Sequence, residues 1–116
     1  MTERHDASQA RAIWPPMPGF FRLRLTRGGW PVPCRIVQSG EGWHAEVDGR
    51  VYDPHPDPAY AARVADVWTG GIKIAEWEWH WCVAVRQDAL DRGETEHPAL
   101  NPTRPMSPML IRPWRE

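Results

Sequence analysis

The chain has 116 residues, 41% hydrophobic and 25% charged, with a formal net charge of −1. That is one soluble domain with one modest core, too short for two. No 18-residue apolar window is present and the polar start MTERHDASQARAIW lacks an apolar leader stretch, so a cytoplasmic protein without a membrane span is expected.

Residues 1–13 are polar and patternless and read as a flexible arm. WPPMPG at 14–19 is a stiff entry. From Phe20 to Thr26 the chain alternates, with Phe21, Leu23 and Leu25 on one side and Arg22, Arg24 and Thr26 on the other, which is a half-buried strand. Arg27-Gly28-Gly29 is a turn. Trp30-Pro31-Val32-Pro33 should delay the next ladder, because proline donates no hydrogen bond, so the second strand is placed at Cys34–Val37. Ser39–Gly42 is a second turn, Trp43–Val47 a third strand, and Asp48-Gly49 a hairpin leading to a short fourth strand, Arg50–Tyr52. Residues 20–52 thus predict a four-stranded antiparallel sheet or small open barrel.

Asp53-Pro-His-Pro-Asp-Pro58 has proline at every second position and predicts an extended linker without ladder bonds. Asp57 is then a helix cap with Pro58 at the first position of a helix ending near Trp68, before Gly70-Gly71. Residues 72–92 hold two periodicities. With period two, Trp77, Trp79, Trp81, Val83 and Val85 share a strand face; with period 3.6, Ile74, Trp77, Trp81, Val85 and Ala89 form a helical stripe. The run has no Gly or Pro for 21 residues and Gly93 follows, so length selects a helix over 74–92, with a strand over 74–85 as the alternative. From Glu94 the chain is Pro-rich and predicts an extended tail, 94–116, docked on the domain. The expected fold is α+β in one domain, residues 14–93, with two helices packed on an antiparallel sheet.

Three constellations bear on function. Asp53, His55 and Asp57, or Glu76 with His80, offer metal-ligand types, but no three- or four-ligand spacing is recognisable and no metal or cofactor is expected. Cys34 and Cys82 fall on different elements, without a nucleophile elbow or phosphate loop, and read as inert thiols, so no enzyme activity is expected. The third is the Arg–aromatic region: Arg22, Arg24, Arg27, Trp30, Arg35, Trp43 and His44. Guanidinium forks beside indoles suit a phosphate-bearing, nucleotide-type ligand, and a solvated sheet face is the plain alternative.

Charge is unevenly distributed. Residues 1–40 sum to +4, 41–100 to −7 and 101–116 to +2, which disfavours a nucleic-acid coat. Tryptophan occurs 8 times against 2 Phe and 2 Tyr, more indole than one small core should hide. Trp79 lies furthest from the Ile74–Trp77–Trp81 stripe and is the indole expected to face a partner, so a homo-oligomer or a partner complex is predicted.

The stretch Arg24, Arg27-Gly28-Gly29-Trp30, Pro33, Arg35-Ile36, the pair Asp48-Gly49, the run Glu76-Trp77-Glu78-Trp79 and the segment Asn101-Pro102-Thr103-Arg104-Pro105 resemble a family of small accessory proteins encoded by tailed bacteriophages and prophages. The resemblance spans residues 18–106. It implies an origin and brings no catalytic residues. Phage accessory proteins of this size are often non-catalytic binders of host machinery, defence systems included. The expected function is therefore a phage-encoded inhibitor of a bacterial defence component. The alternatives are a sponge for a nucleotide-type immune signal, or a single-strand nucleic-acid module disfavoured by the acidic middle.

Overall fold

The computed structural model describes residues 14–106. Five strands form one antiparallel open sheet: β1 Gly19–Arg24, β2 Pro31–Ser39, β3 Gly42–Val47, β4 Arg50–Val51 and β5 Ile72–Ile74, in the order β4-β3-β2-β1-β5. Helix α1 spans Val64–Gly70 and helix α2 spans Glu76–Asp91. The α+β class and the antiparallel meander follow the sequence pattern. The fifth strand, added at the β1 edge, does not.

The alternation of β1 is realised as expected, with Phe21 and Leu23 buried and Arg22 and Arg24 exposed. Antiparallel register places Phe21 opposite Cys34 and Leu23 opposite Val32, and Cys34 opposite Val47 and Ile36 opposite Ala45. All these side chains share one face, where they join Trp43, Ala61, Val64, Val67 and Trp68 in the core. The Trp68 indole meets the Phe21 ring edge-on, 6.1 Å between centroids. Helix α1 thus covers this face. On the opposite face Phe20 and Arg35 are cross-strand partners, and α2 lies there, with Trp79 5.4 Å from Phe20. The molecule is a three-layer stack of helix, sheet and helix.

Several boundaries differ from the sequence reading. β2 begins at Pro31, three residues before the expected Cys34. Pro33 fits because its carbonyl accepts from Asp48 N–H at 2.9 Å on the β3 side. A residue's N and C=O point the same way in an antiparallel strand, so the missing Pro33 N–H falls outside the β1 ladder. The Asp53–Pro58 segment is not free of ladder bonds: Trp43 and His55 exchange backbone hydrogen bonds of 2.8 and 2.9 Å. Asp57 does not cap a helix over 59–68. Its carboxylate accepts from Ala59 N–H at 2.9 Å, and successive turns run from there to Arg63, whose left-handed φ of 68° blocks helical continuation, so α1 starts only at Val64. The strand alternative over 74–85 is excluded, since helix occupies Glu76–Asp91 and only Ile72–Ile74 is extended.

The Asp48-Gly49 turn carries φ of 52° and 88°, the primed hairpin geometry that a right-twisted pair requires. Past α2, the chain turns at Gly93 and forms one 3-10 turn, Pro98–Leu100. It then returns to the β1–β2 turn, where Met106 N–H donates to Gly28 O at 2.9 Å. Approach there is close: a Cβ on Gly29 would stand 2.5 Å from the Pro102 carbonyl. The expected arm, 1–13, and the end of the expected tail, 107–116, lie outside the described residues.

Candidate protein-docking face

The α2 face is built from the end of β5 outward. A single residue, Ala75, separates β5 from α2, and the Glu78 carboxylate accepts from Ala75 N–H at 3.2 Å. Glu76 and Glu78 place negative charge in the first turn, where the helix dipole favours it. Glu76 also meets His80 Nε2 at 3.3 Å, one turn on. The connection is short, and the first turn of α2 lays Trp79 over Phe20 of β1 and Arg35 of β2.

An advance of about 100° per residue puts Trp77 and Trp81 roughly 160° from Trp79, on opposite sides of the helix. The sheet takes the side of the helix that carries Trp79, which the expected helical stripe left out. This corrects the expected core stripe of Ile74, Trp77, Trp81, Val85 and Ala89. Trp77 is 71% and Trp81 58% exposed, while Trp79 is largely covered by Phe20 and Arg35. Only Ile74 and Ala89 of the expected stripe are buried. Trp79, expected to face a partner, instead packs on the sheet, and its Nε1 is shielded without a hydrogen-bond partner.

Beside the exposed indoles runs a groove of about 290 Å³, lined by Arg22, Ile74, Trp77, Glu78, Trp81 and Cys82. Its rim continues onto Ile72, 53% exposed on the edge strand. Trp77 and Trp81 were missed as outward residues because apolar side chains encircle α2, leaving its periodicity without a preferred side.

The Arg–aromatic set does not converge. Trp43 is 8% exposed in the core on the α1 face, away from the arginines. Trp30 packs edge-on against His97, centroids 5.5 Å apart. Arg24 donates to the Gly29 carbonyl, and Arg27 lies exposed in the same turn. Arg35 and His44 do meet on the α2 face. The Arg35 guanidinium lies 5.6 Å from both the Phe20 and Trp79 rings and 3.6 Å from Glu46, with His44 Nε2 4.0 Å from the same carboxylate. Of the set, only Arg22 reaches the groove.

Among the described residues no group of three His, Cys, Asp or Glu side chains could hold a metal ion. In the proline segment His55 Nδ1 accepts from Asp57 N–H at 2.9 Å, a local turn. Cys34 is fully buried, and burial, then the nearby Asp48 carboxylate, pushes its thiol up to about 12. Cys82 is half-buried at the groove floor, and desolvation raises its thiol as well. Both sulfurs are therefore protonated at neutral pH, the unreactive form.

No helix of the described residues is long and apolar enough to cross a membrane. Comparison with family models, curated proteins and solved structures gives no match. What the fold and the face define is an α+β scaffold that carries two open indoles on one helix.

Proposed function

We propose that this chain is a non-enzymatic, phage-encoded binding protein that acts in the bacterial cytoplasm and inhibits a host defence component by direct binding. One observation carries the binding part: Trp77 and Trp81, 71% and 58% exposed, stand together over an apolar groove. Large aromatic side chains at a contiguous exposed patch are the usual anchors of protein interfaces, and leaving them in water forgoes favourable burial. The phage resemblance of residues 24–36 and 76–79 supports the host setting. The groove is walled mainly by apolar atoms of Ile74, Trp77 and Trp81, a composition suited to a protein partner's side chains.

The test is expression of the chain in bacteria carrying individual anti-phage defence systems, with plating efficiency of a restricted phage as the readout. Rescue of plating in at least one system is expected, together with its loss for Trp77→Ser/Trp81→Ser and retention for Arg24→Ala/Arg35→Ala. Rescue that survives the tryptophan variant and vanishes in the arginine variant would move the site to the Arg–aromatic surface. No rescue in any system would overturn the defence reading.

A further inference from the structure

We infer that the free chain covers this face with a second copy of itself, as a two-fold dimer built on the β5 edge and the Trp77–Trp81 patch. The inference rests on the reading that this face docks protein, and it names the first occupant.

Three observations point to a copy rather than to a partner of one charge sign. First, β5 ends the sheet, with no strand on its outer side among the described residues. It is short, carries Ile72 exposed, and as a sheet edge is where the backbone of another chain can pair. A two-fold axis sets two such edges antiparallel, as this sheet already is throughout. Centring the axis on Ile72 brings isoleucine against isoleucine and keeps the two Lys73 cations from facing each other.

Second, the rim is self-complementary. Arg22 supplies a cation and Glu78 a carboxylate at the groove beside the indoles, while Lys73 lies on the opposite sheet face, over the Phe21 ring. A two-fold turns each acid toward the neighbour's base without net repulsion. A strongly basic or acidic partner would leave one of these two charges opposed by like charge.

Third, the area suits a weak, concentration-dependent dimer. Two indoles exposed by 71% and 58% present on the order of 300 Å² per protomer, before Ile72 and the polar rim are added. Doubled and surrounded by that rim, this approaches the roughly 1,000 Å² that a stable interface needs. In that dimer the sheets of the two chains are continuous and both α2 helices lie on one side. A host partner at the same face must then displace the copy, so dimerisation sets how much binding-competent chain is free.

Sedimentation velocity on the full chain over a concentration series tests this. The wild-type chain is expected to move from monomer to dimer, with its tryptophan emission shifting to the blue and losing acrylamide quenching in step. Trp77→Ser/Trp81→Ser is expected to raise the dimer dissociation constant about a hundredfold or more. Ile72→Lys, which leaves every indole in place and substitutes a half-exposed residue, is expected to do the same by setting like charges at the axis. Circular dichroism checks that each variant is folded. A wild-type chain that stays monomeric at the highest concentration overturns the inference, as does a dimer that persists in either folded variant. Monomeric wild-type protein with open indoles already shielded from acrylamide would show that another part of the same chain covers them, and overturns it too. The plating assay separates the two readings. A monomer whose inhibition depends on Trp77 and Trp81 refutes only self-association, whereas a dimer whose inhibition ignores them refutes only the docking of a host protein there.

Discussion

The two faces of the sheet are covered by helices in opposite ways. On the α1 side, a helix of only 7 residues buries Val64, Val67 and Trp68 against strand residues that are almost wholly enclosed, such as Phe21, Cys34 and Ala45. On the α2 side, a helix of 16 residues buries only Ala89 completely. Its contact with the sheet is a layer of Phe20, Arg35 and Trp79 in which the two rings touch and a cation sits beside both. The lesson is that helix length does not measure contribution to the core. The short helix closes the hydrophobic core, and the long one lends a surface.

That contrast is open to breaking by mutation, beginning on the α1 side. Phe21→Ala removes a fully buried ring from the middle of the core and should cost about 3–5 kcal/mol, read as a fall in urea midpoint at unchanged slope. If it costs no more than a substitution at Phe20 on the other face, the two faces do not differ as described.

Alkaline pH gives the next effect. The Cys34 thiol is pushed from its ordinary value near 9 to about 12 in the folded chain, first by burial and then by Asp48. Between those values the unfolded chain releases a proton that the folded chain keeps, so stability falls as pH rises from about 9 toward about 12. Cys34→Ala should be less stable at neutral pH and should show a shallower alkaline decline. Parallel declines in urea titrations across that window would remove Cys34 from the account.

Trp79→Ala should cost about 2 kcal/mol, less than Phe21→Ala, because the indole is only partly enclosed. Trp79→Phe should cost much less again, since Nε1 has no hydrogen bond to lose. A thermal melt in which Phe is as damaging as Ala would mean that the indole N–H matters.

Asp48 joins the two sides. Its carboxylate lies 3.4 Å from Arg86 Nε on α2, and burial raises its pKa despite that cation. Burial thus disfavours the charged form, and stability is lost as pH rises through the Asp48 titration. Asp48→Asn keeps a residue that tolerates φ of 52° and should shift stability upward by at most about 1 kcal/mol at neutral pH. Destabilisation by that amount would show the Arg86 pair to dominate. The smallest change is expected at the surface: Trp77→Ser and Trp81→Ser should each leave folding within about 0.5 kcal/mol, a result that would sharpen the contrast between a core face and a docking face.

How much of this is legible in sequence differs by element. The β1 to β4 meander is readable because period-two alternation over Phe20–Arg24 and the Asp48-Gly49 turn are local signals that agree with the sheet. The start of α1 is misread because Asp57-Pro58 is a sound cap signal that here closes a turn. β5 is missed because three residues, Ile72–Ile74, are too few to show a period and gain strand geometry only from pairing with Arg22 to Phe20. The Arg–aromatic set reads as one surface in sequence, yet alternate residues of a strand face opposite ways, and that sends Trp43 into the core while Arg35 stays on the α2 face.

The sequence by itself determined the class of fold, the hairpin, a helix that it placed over 74–92 and that runs over Glu76–Asp91, and an excess of indole over what one core can hide. The tertiary structure alone decided which indoles those are. Around α2 an apolar residue appears on every side, so no moment in the sequence distinguishes Trp79 from Trp77 and Trp81. The choice falls to the sheet, whose Phe20 and Arg35 offer a ring and a guanidinium for one indole to cover. The other two, about 160° around the helix, are left facing outward.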